Sequence, residues 1–213
     1  MARLTRDWGS LYKGRSLIAI LDYGSGNIRS AQRAIERVGG STKVTSDYEV
    51  ALNADGLLVP GVGAFGSCMR QLGGVKGDSI IKQRLNLARP TLGVCVGMQV
   101  LFESSDESNE AGLSIVAGKV KKLSAKILPH IGWNEVNSKD AMPLMQGLSG
   151  QRFYFVHSFA ATSAPEEFAK ATTTYGEDFL AAMQSGALSA VQFHPEKSGD
   201  AGMQLLKNWV NSL

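Results

Sequence analysis

The chain predicts an α/β fold: a mostly parallel central sheet with helices on both faces, extended by additional antiparallel strands in its second half. Three observations carry this. Short apolar runs end in glycine-rich turns and are followed by segments of helical periodicity. Those runs are apolar throughout, as strands covered on both faces are. From Gly112 onward the alternation gives way to short β-rich runs.

The first strand is Leu17-Ile18-Ala19-Ile20-Leu21, closed by the turn Asp22-Tyr23-Gly24-Ser25-Gly26-Asn27. Asn27 is the expected N-cap of a helix that places Ile28, Ala31, Ile35 and Val38 on one face and stops at Gly39-Gly40. Thr42 to Thr45 supplies a second strand. Gly56-Leu57-Leu58-Val59-Pro60 supplies a third, ending in Pro60-Gly61-Val62-Gly63-Ala64-Phe65. A helix from about Ile80 to Ala88 leads to the apolar segment Pro90-Thr91-Leu92, and Met98 to Phe102 continue a helix beyond Cys95. Ser114 to Val116, Lys119 to Leu123 and Phe153 to Val156 then read as strands, and Ala201 to Val210 as a closing helix with Met203, Leu206 and Val210 at helical spacing. In such sheets, sites form beyond the carboxyl ends of the strands, where every glycine-rich turn named here falls.

Of the 213 residues, 44% are hydrophobic and 19% charged, enough to bury a sizeable core. They are expected to form one domain over 16–213, with an aperiodic, flexible extension over 1–15. Two cysteines are too few for a disulfide framework and suit a reducing, cytoplasmic setting. No apolar stretch reaches the ~18 residues of a membrane span, and the N-terminus lacks the apolar centre of a signal peptide. A net charge of +3 with scattered lysines and arginines argues against a nucleic-acid footprint, even at Lys119, Lys121 and Lys122. Gly24-Ser25-Gly26 falls short of a dinucleotide fingerprint, because Arg29 stands where the third glycine belongs. His130 and His157 lack the spacing or cysteine companions of a zinc site, so no metal and no cofactor is expected.

The chemistry is carried by Gly93-Val94-Cys95-Val96-Gly97 and, about a hundred residues on, His194-Pro195-Glu196. Glycines around Cys95 permit a sharp strand-to-helix turn that lifts the thiol above the sheet, where the amides of the following helix favour thiolate. Taken alone, Cys95 reads equally well as a small buried residue between packing glycines. His194 and Glu196, two apart after the strand end Val191-Gln192-Phe193, can line one side together. Glu196 would then orient the imidazole that takes the Cys95 proton. Cys68 has no such companions and reads as packing.

With Cys95, His194 and Glu196 in this order, the sequence resembles the class I, or triad, glutamine amidotransferases. Within them it is similar to the glutaminase subunits of imidazole glycerol phosphate synthases. The segments carrying the second likeness are Pro129-His130-Ile131-Gly132-Trp133-Asn134 and Phe153-Tyr154-Phe155-Val156-His157-Ser158. The resemblance implies the amidotransferase fold and hydrolysis of glutamine to glutamate and ammonia. The ammonia would pass to a (β/α)₈ cyclase subunit in a heterodimer of histidine biosynthesis. A glutaminase subunit serving another triad amidotransferase is the alternative. By the same resemblance, Gly61, Val62, Gly63 and Val96 supply oxyanion donors, and Gly63, Gln99, Glu107, Ser158 and Phe159 contact substrate. Asn27, Trp133, Tyr154 and Lys197 face the partner. Phe159 stands where tyrosine is common in the family, and Val96 where leucine is.

Overall fold

The computed structural model describes residues 16–138 and 141–213; the expected N-terminal extension over 1–15 lies outside the described residues. Among the described residues, thirteen strands and six α-helices follow in order, with 3-10 turns over Pro143–Met145 and Pro195–Lys197. In the first half they are β1 (Leu17–Leu21), α1 (Ile28–Arg37), β2 (Ser41–Thr45), α2 (Tyr48–Asn53), β3 (Gly56–Gly61), α3 (Phe65–Gly74), α4 (Gly77–Asn86), β4 (Thr91–Cys95) and α5 (Val96–Gln99). The rest are β5 (Phe102–Ser105), β6 (Ser108–Ala111), β7 (Val116–Lys122), β8 (His130–Ser138), β9 (Gln151–His157), β10 (Phe159–Ala161), β11 (Ala169–Tyr175), β12 (Glu177–Ser185), β13 (Leu188–Val191) and α6 (Gly199–Val210).

Nine strands form the main sheet in the order β2-β1-β3-β4-β13-β12-β11-β8-β9. Its first five are mutually parallel and the remaining pairings are antiparallel. Every residue of β3, β4 and β13 is buried, as expected where helices cover both faces. The helices pack in two groups, α1 against α6 and α4 against α2 and α3. Ala31 and Ile35 of α1 lie in the core, with Ile28 and Val38 packed at its margin, so the face anticipated from spacing is the buried one.

Several elements differ from the sequence reading. Asn27 stands at the N-cap of α1 but makes no side-chain capping bond. Helices α2 and α3 were not anticipated; Asp47 caps α2 by accepting the Val50 N–H at 2.9 Å. The helix expected from Ile80 begins at Gly77 and ends before Ala88, which takes φ +52°. The helix expected over Met98 to Phe102 is the short α5, and Phe102 opens a strand. Its main chain pairs with β7, and Leu101 C=O accepts from the Ile115 and Val116 amides. Ser114 precedes its strand at φ +53°.

The β-rich second half also does more than extend the main sheet. A separate four-stranded sheet is formed in the order β10-β7-β5-β6. The opposite, amino end of the parallel strands is tied by Arg84, whose side chain is fully buried. Its guanidinium donates to the carbonyls of Ala51, Leu52, Ala54, Asp55 and Pro90 at 2.7–3.2 Å. Burial draws its pKa down to about 10, so it remains charged at neutral pH. Among the described residues, no helix is long and apolar enough to cross a membrane.

Candidate active site

Strands β3, β4 and β13 are parallel neighbours, with Gly61 opposite Cys95 and Val191 opposite Val94. Their carboxyl ends therefore bring three turns together: Pro60 to Gly63, Cys95 into α5, and His194 to Lys197. Cys95 takes φ +57°, ψ −113°, a conformation that costs a non-glycine residue about 1–3 kcal/mol and that lifts its side chain out of the strand. The turn packs without room for side chains: a Cβ on Gly97 would stand 2.0 Å from the Val59 carbonyl oxygen, so only glycine lets α5 sit against β3.

His194 and Glu196 face one another, though not along extended chain as expected: β13 ends at Val191, and Pro195–Lys197 form a 3-10 turn that brings the carboxylate back to the ring. His194 Nδ1 lies 2.9 Å from Glu196 Oε1, with both side chains 4% exposed. That contact leaves Nε2 free to face the cavity that Cys95 also lines. Burial alone would push the imidazole pKa down. The bonds and charges of Cys95 and Glu196 outweigh it and carry His194 up to about 10, holding the ring as imidazolium. The turn itself is fixed by Ser198, which the sequence reading missed. Its hydroxyl donates to the His194 carbonyl at 2.6 Å and accepts the Tyr154 N–H at 3.0 Å.

Beside the triad lies a cavity of about 300 Å³. Val62, Gly63, Cys95, Val96, Gln99, Glu107, Ser158, Phe159, His194 and Lys197 all line it, joined by Val156 and His157. The sequence reading thus named most of its wall. Glu107 reaches it from the β5–β6 hairpin and Phe159 from β10, so both depend on the unexpected second sheet. Glu107 is not a free acid, since one oxygen accepts the Phe65 N–H at the start of α3 at 2.7 Å. Gln99 is nearly fully buried, and its Nε2 donates to the Phe159 carbonyl at 2.9 Å and to Gln192 Oε1 at 3.0 Å. With both N–H bonds engaged, Gln99 has only its oxygen to offer a ligand.

The oxyanion candidates divide. Val96 opens α5, and a first-turn N–H has no acceptor within its own helix. Val62 is committed elsewhere: its N–H donates to Ser25 Oγ at 3.1 Å, while the Ser25 hydroxyl donates to the Val62 carbonyl at 2.7 Å. Gly63, at φ +96°, follows directly in the same turn. Cys68 is buried beneath this contact, 3.2 Å from Ser25 Oγ, and burial pushes its thiol pKa up, in keeping with a packing role.

The four residues expected at a partner surface surround the His194 turn. Trp133 lies opposite Tyr154 on β8 and β9, with ring centroids 5.8 Å apart, and Tyr154 C=O accepts the His194 N–H. Lys197 is exposed on the turn, and Asn27 lines a small cleft with His194, Pro195 and Glu196. Ile131 and Trp133, two apart on β8, are 61% and 44% exposed and form an apolar strip there. His130 and His157 pair with each other in the core, Nδ1 to Nε2 at 3.2 Å, and burial lowers both to about 4. Among the described residues, no group of three or more metal-ligating side chains is assembled.

Residues 19–213 match the family model for class-I glutamine amidotransferases. The chain is 52% identical over 205 residues to an imidazole glycerol phosphate synthase subunit HisH of Corynebacterium glutamicum, covering 91% of this chain and 97% of that protein. It is likewise 52% identical over 209 residues to the HisH subunit of Nocardia farcinica, covering 93% and 99%. A crystal structure of a glutamine amidotransferase superposes with a TM-score of 0.74 at 16% identity, covering 92% of this chain and 99% of the other.

Proposed function

Because the chain belongs to the class-I glutamine amidotransferase family, we propose that it is the glutaminase subunit of an imidazole glycerol phosphate synthase, acting in histidine biosynthesis. Identity of about half its residues over nearly full length to HisH subunits supports this. The observation that carries the chemistry is the buried Glu196–His194 pair set against Cys95 at the mouth of a glutamine-sized cavity.

In this reading Cys95 gives its thiol proton to His194 and its sulfur attacks the side-chain amide carbon of glutamine. The imidazolium of His194 gives its proton to the leaving ammonia, and a γ-glutamyl thioester remains. The ring, now neutral and held in one tautomer by Glu196, takes a proton from water as the thioester is cleaved. The Gln99 oxygen and the free oxygen of Glu107 suit the substrate α-ammonium, and the Ser158–Phe159 main chain flanks them. Val96 N–H and the Gly61-Val62-Gly63 turn would hold the oxyanion, where one donor is typically worth about 2.7–4 kcal/mol. The released ammonia would pass to a (β/α)₈ cyclase subunit seated on the strip of Ile131 and Trp133, beside Asn27, Tyr154 and Lys197. The heterodimer would work in the cytoplasm, where both cysteines stay reduced.

Reconstitution with such a cyclase tests this. Glutamine-dependent synthesis should be lost in Cys95→Ala while synthesis from ammonium salts persists. Loss of both activities in a folded complex would overturn the proposed division of labour.

A further inference from the structure

Two glutamines and a backbone carbonyl, none adjacent in sequence, form a chain of hydrogen bonds that ends on the nucleophile. Phe159 C=O accepts the Gln99 Nε2 bond at 2.9 Å, Gln99 Nε2 also meets Gln192 Oε1 at 3.0 Å, and Gln192 Nε2 lies 3.8 Å from Cys95 Sγ. Gln99, Gln192 and Cys95 are all nearly or wholly inaccessible to solvent.

The direction of this chain is forced. A carbonyl oxygen only accepts, so Gln99 must turn its amide nitrogen toward Phe159; the reverse orientation would set two oxygens in contact. The same nitrogen then donates to Gln192, whose oxygen must face it, and Gln192 is left with an N–H aimed at the sulfur. His157 supports the anchor from the other side, its Nδ1 lying 2.9 Å from the same carbonyl. Nδ1 therefore carries the proton, Nε2 accepts, and His130 Nδ1 must be the donor at 3.2 Å. Every polar contact is satisfied in one polarity, so there is no second arrangement for the amides to adopt.

We infer that Gln192 is a further catalytic residue of the glutaminase reaction, donating its side-chain N–H to the Cys95 sulfur, with Gln99 and His157 as its positioning residues. A donor on sulfur favours the anion over the neutral thiol. It therefore acts twice, on the attacking thiolate and again when water cleaves the thioester and the C–S electron pair returns to sulfur. The inference rests on the glutaminase reading, but its test does not need glutamine.

The test is the pH profile of Cys95 alkylation by iodoacetamide in the full chain, read by mass spectrometry of the Cys95 peptide so that Cys68 does not contribute. In Gln192→Met, which keeps bulk but not the donor, the rate on the acid limb should fall about tenfold at a given pH and rejoin wild type on the alkaline plateau. Gln99→Met leaves Gln192 in place but unanchored, and should show a smaller fall of the same shape. In the reconstituted complex, Gln192→Met should lower kcat with KM little changed. Superimposable profiles in both variants would overturn the inference. So would a deficit that persists undiminished on the plateau, since that marks a blocked or distorted site. A wild-type complex unable to hydrolyse glutamine would instead refute the functional reading, and would leave the alkylation result standing.

Discussion

Replacing Ser25 with alanine should raise the glutaminase activity of the isolated chain. In the structure Ser25 makes two hydrogen bonds to one residue of the oxyanion turn, accepting the Val62 N–H at 3.1 Å and donating to its carbonyl at 2.7 Å. Ser25 is 7% exposed, so water competes poorly for either bond. Each contributes about 0.5–1.5 kcal/mol net, and a central sum of about 2 kcal/mol corresponds to roughly thirtyfold in the population of a turn with Val62 N–H released. A site limited by that population should gain about tenfold or more in kcat without a partner. If the cyclase releases the turn on binding, the assembled complex should change little. Steady-state glutaminase assays of the isolated chain and of the complex decide it. Unchanged or lower activity of a folded Ser25→Ala chain would show that the Val62 contact does not restrain catalysis.

Stability should peak near neutral pH. Burial lowers His130 and His157 to about 4 from an ordinary ~6.5, so the folded chain resists protons that the unfolded chain binds, and stability is lost as pH falls through that window. His194 is raised to about 10, so its contribution is complete below ~6.5 and is lost as pH rises toward 10. Denaturant midpoints across pH would show both limbs, with His130→Gln flattening the acid one. Arg84→Met should cost at least about 3 kcal/mol, because five backbone carbonyls lose a charged donor in the core. Chemical denaturation would measure it, and a loss under 1 kcal/mol would contradict this account. Trp133→Ala should weaken cyclase binding about thirtyfold, as truncation of a central aromatic anchor by about 2 kcal/mol implies. Calorimetric titration giving an unchanged Kd would place the partner elsewhere.

What the sequence determined by itself was local or strictly periodic. Strands β1, β3 and β4 show as unbroken apolar runs because both their faces are buried. The turn at Cys95 shows because only glycine tolerates the Val59 carbonyl at 2.0 Å from a Cβ on Gly97. His194 and Glu196 were legible as a pair two apart, but the extended chain expected there is a 3-10 turn over Pro195–Lys197, so their meeting comes from the turn and not from a strand repeat. The spacing of α3 was not: its glycines and lone Cys68 give weak helical propensity, and packing of Phe65 and Leu72 overrides it.

Only the tertiary structure decided which distant groups meet. The second sheet that brings Glu107 and Phe159 to the cavity depends on pairing between separated segments, and no periodicity records such partners. Gln192 reads as the tail of a strand until its bonds to Gln99, 93 residues away, and to Cys95, 97 residues away, are seen. Ser25 reads as a turn residue until Val62 lies across it, and Arg84 as one unremarked residue of the expected Ile80 to Ala88 helix until five carbonyls close around it. A hydrogen bond constrains the two groups that share it and leaves no mark on the residues between, so a chain can announce its nucleophile while concealing what holds that nucleophile in place.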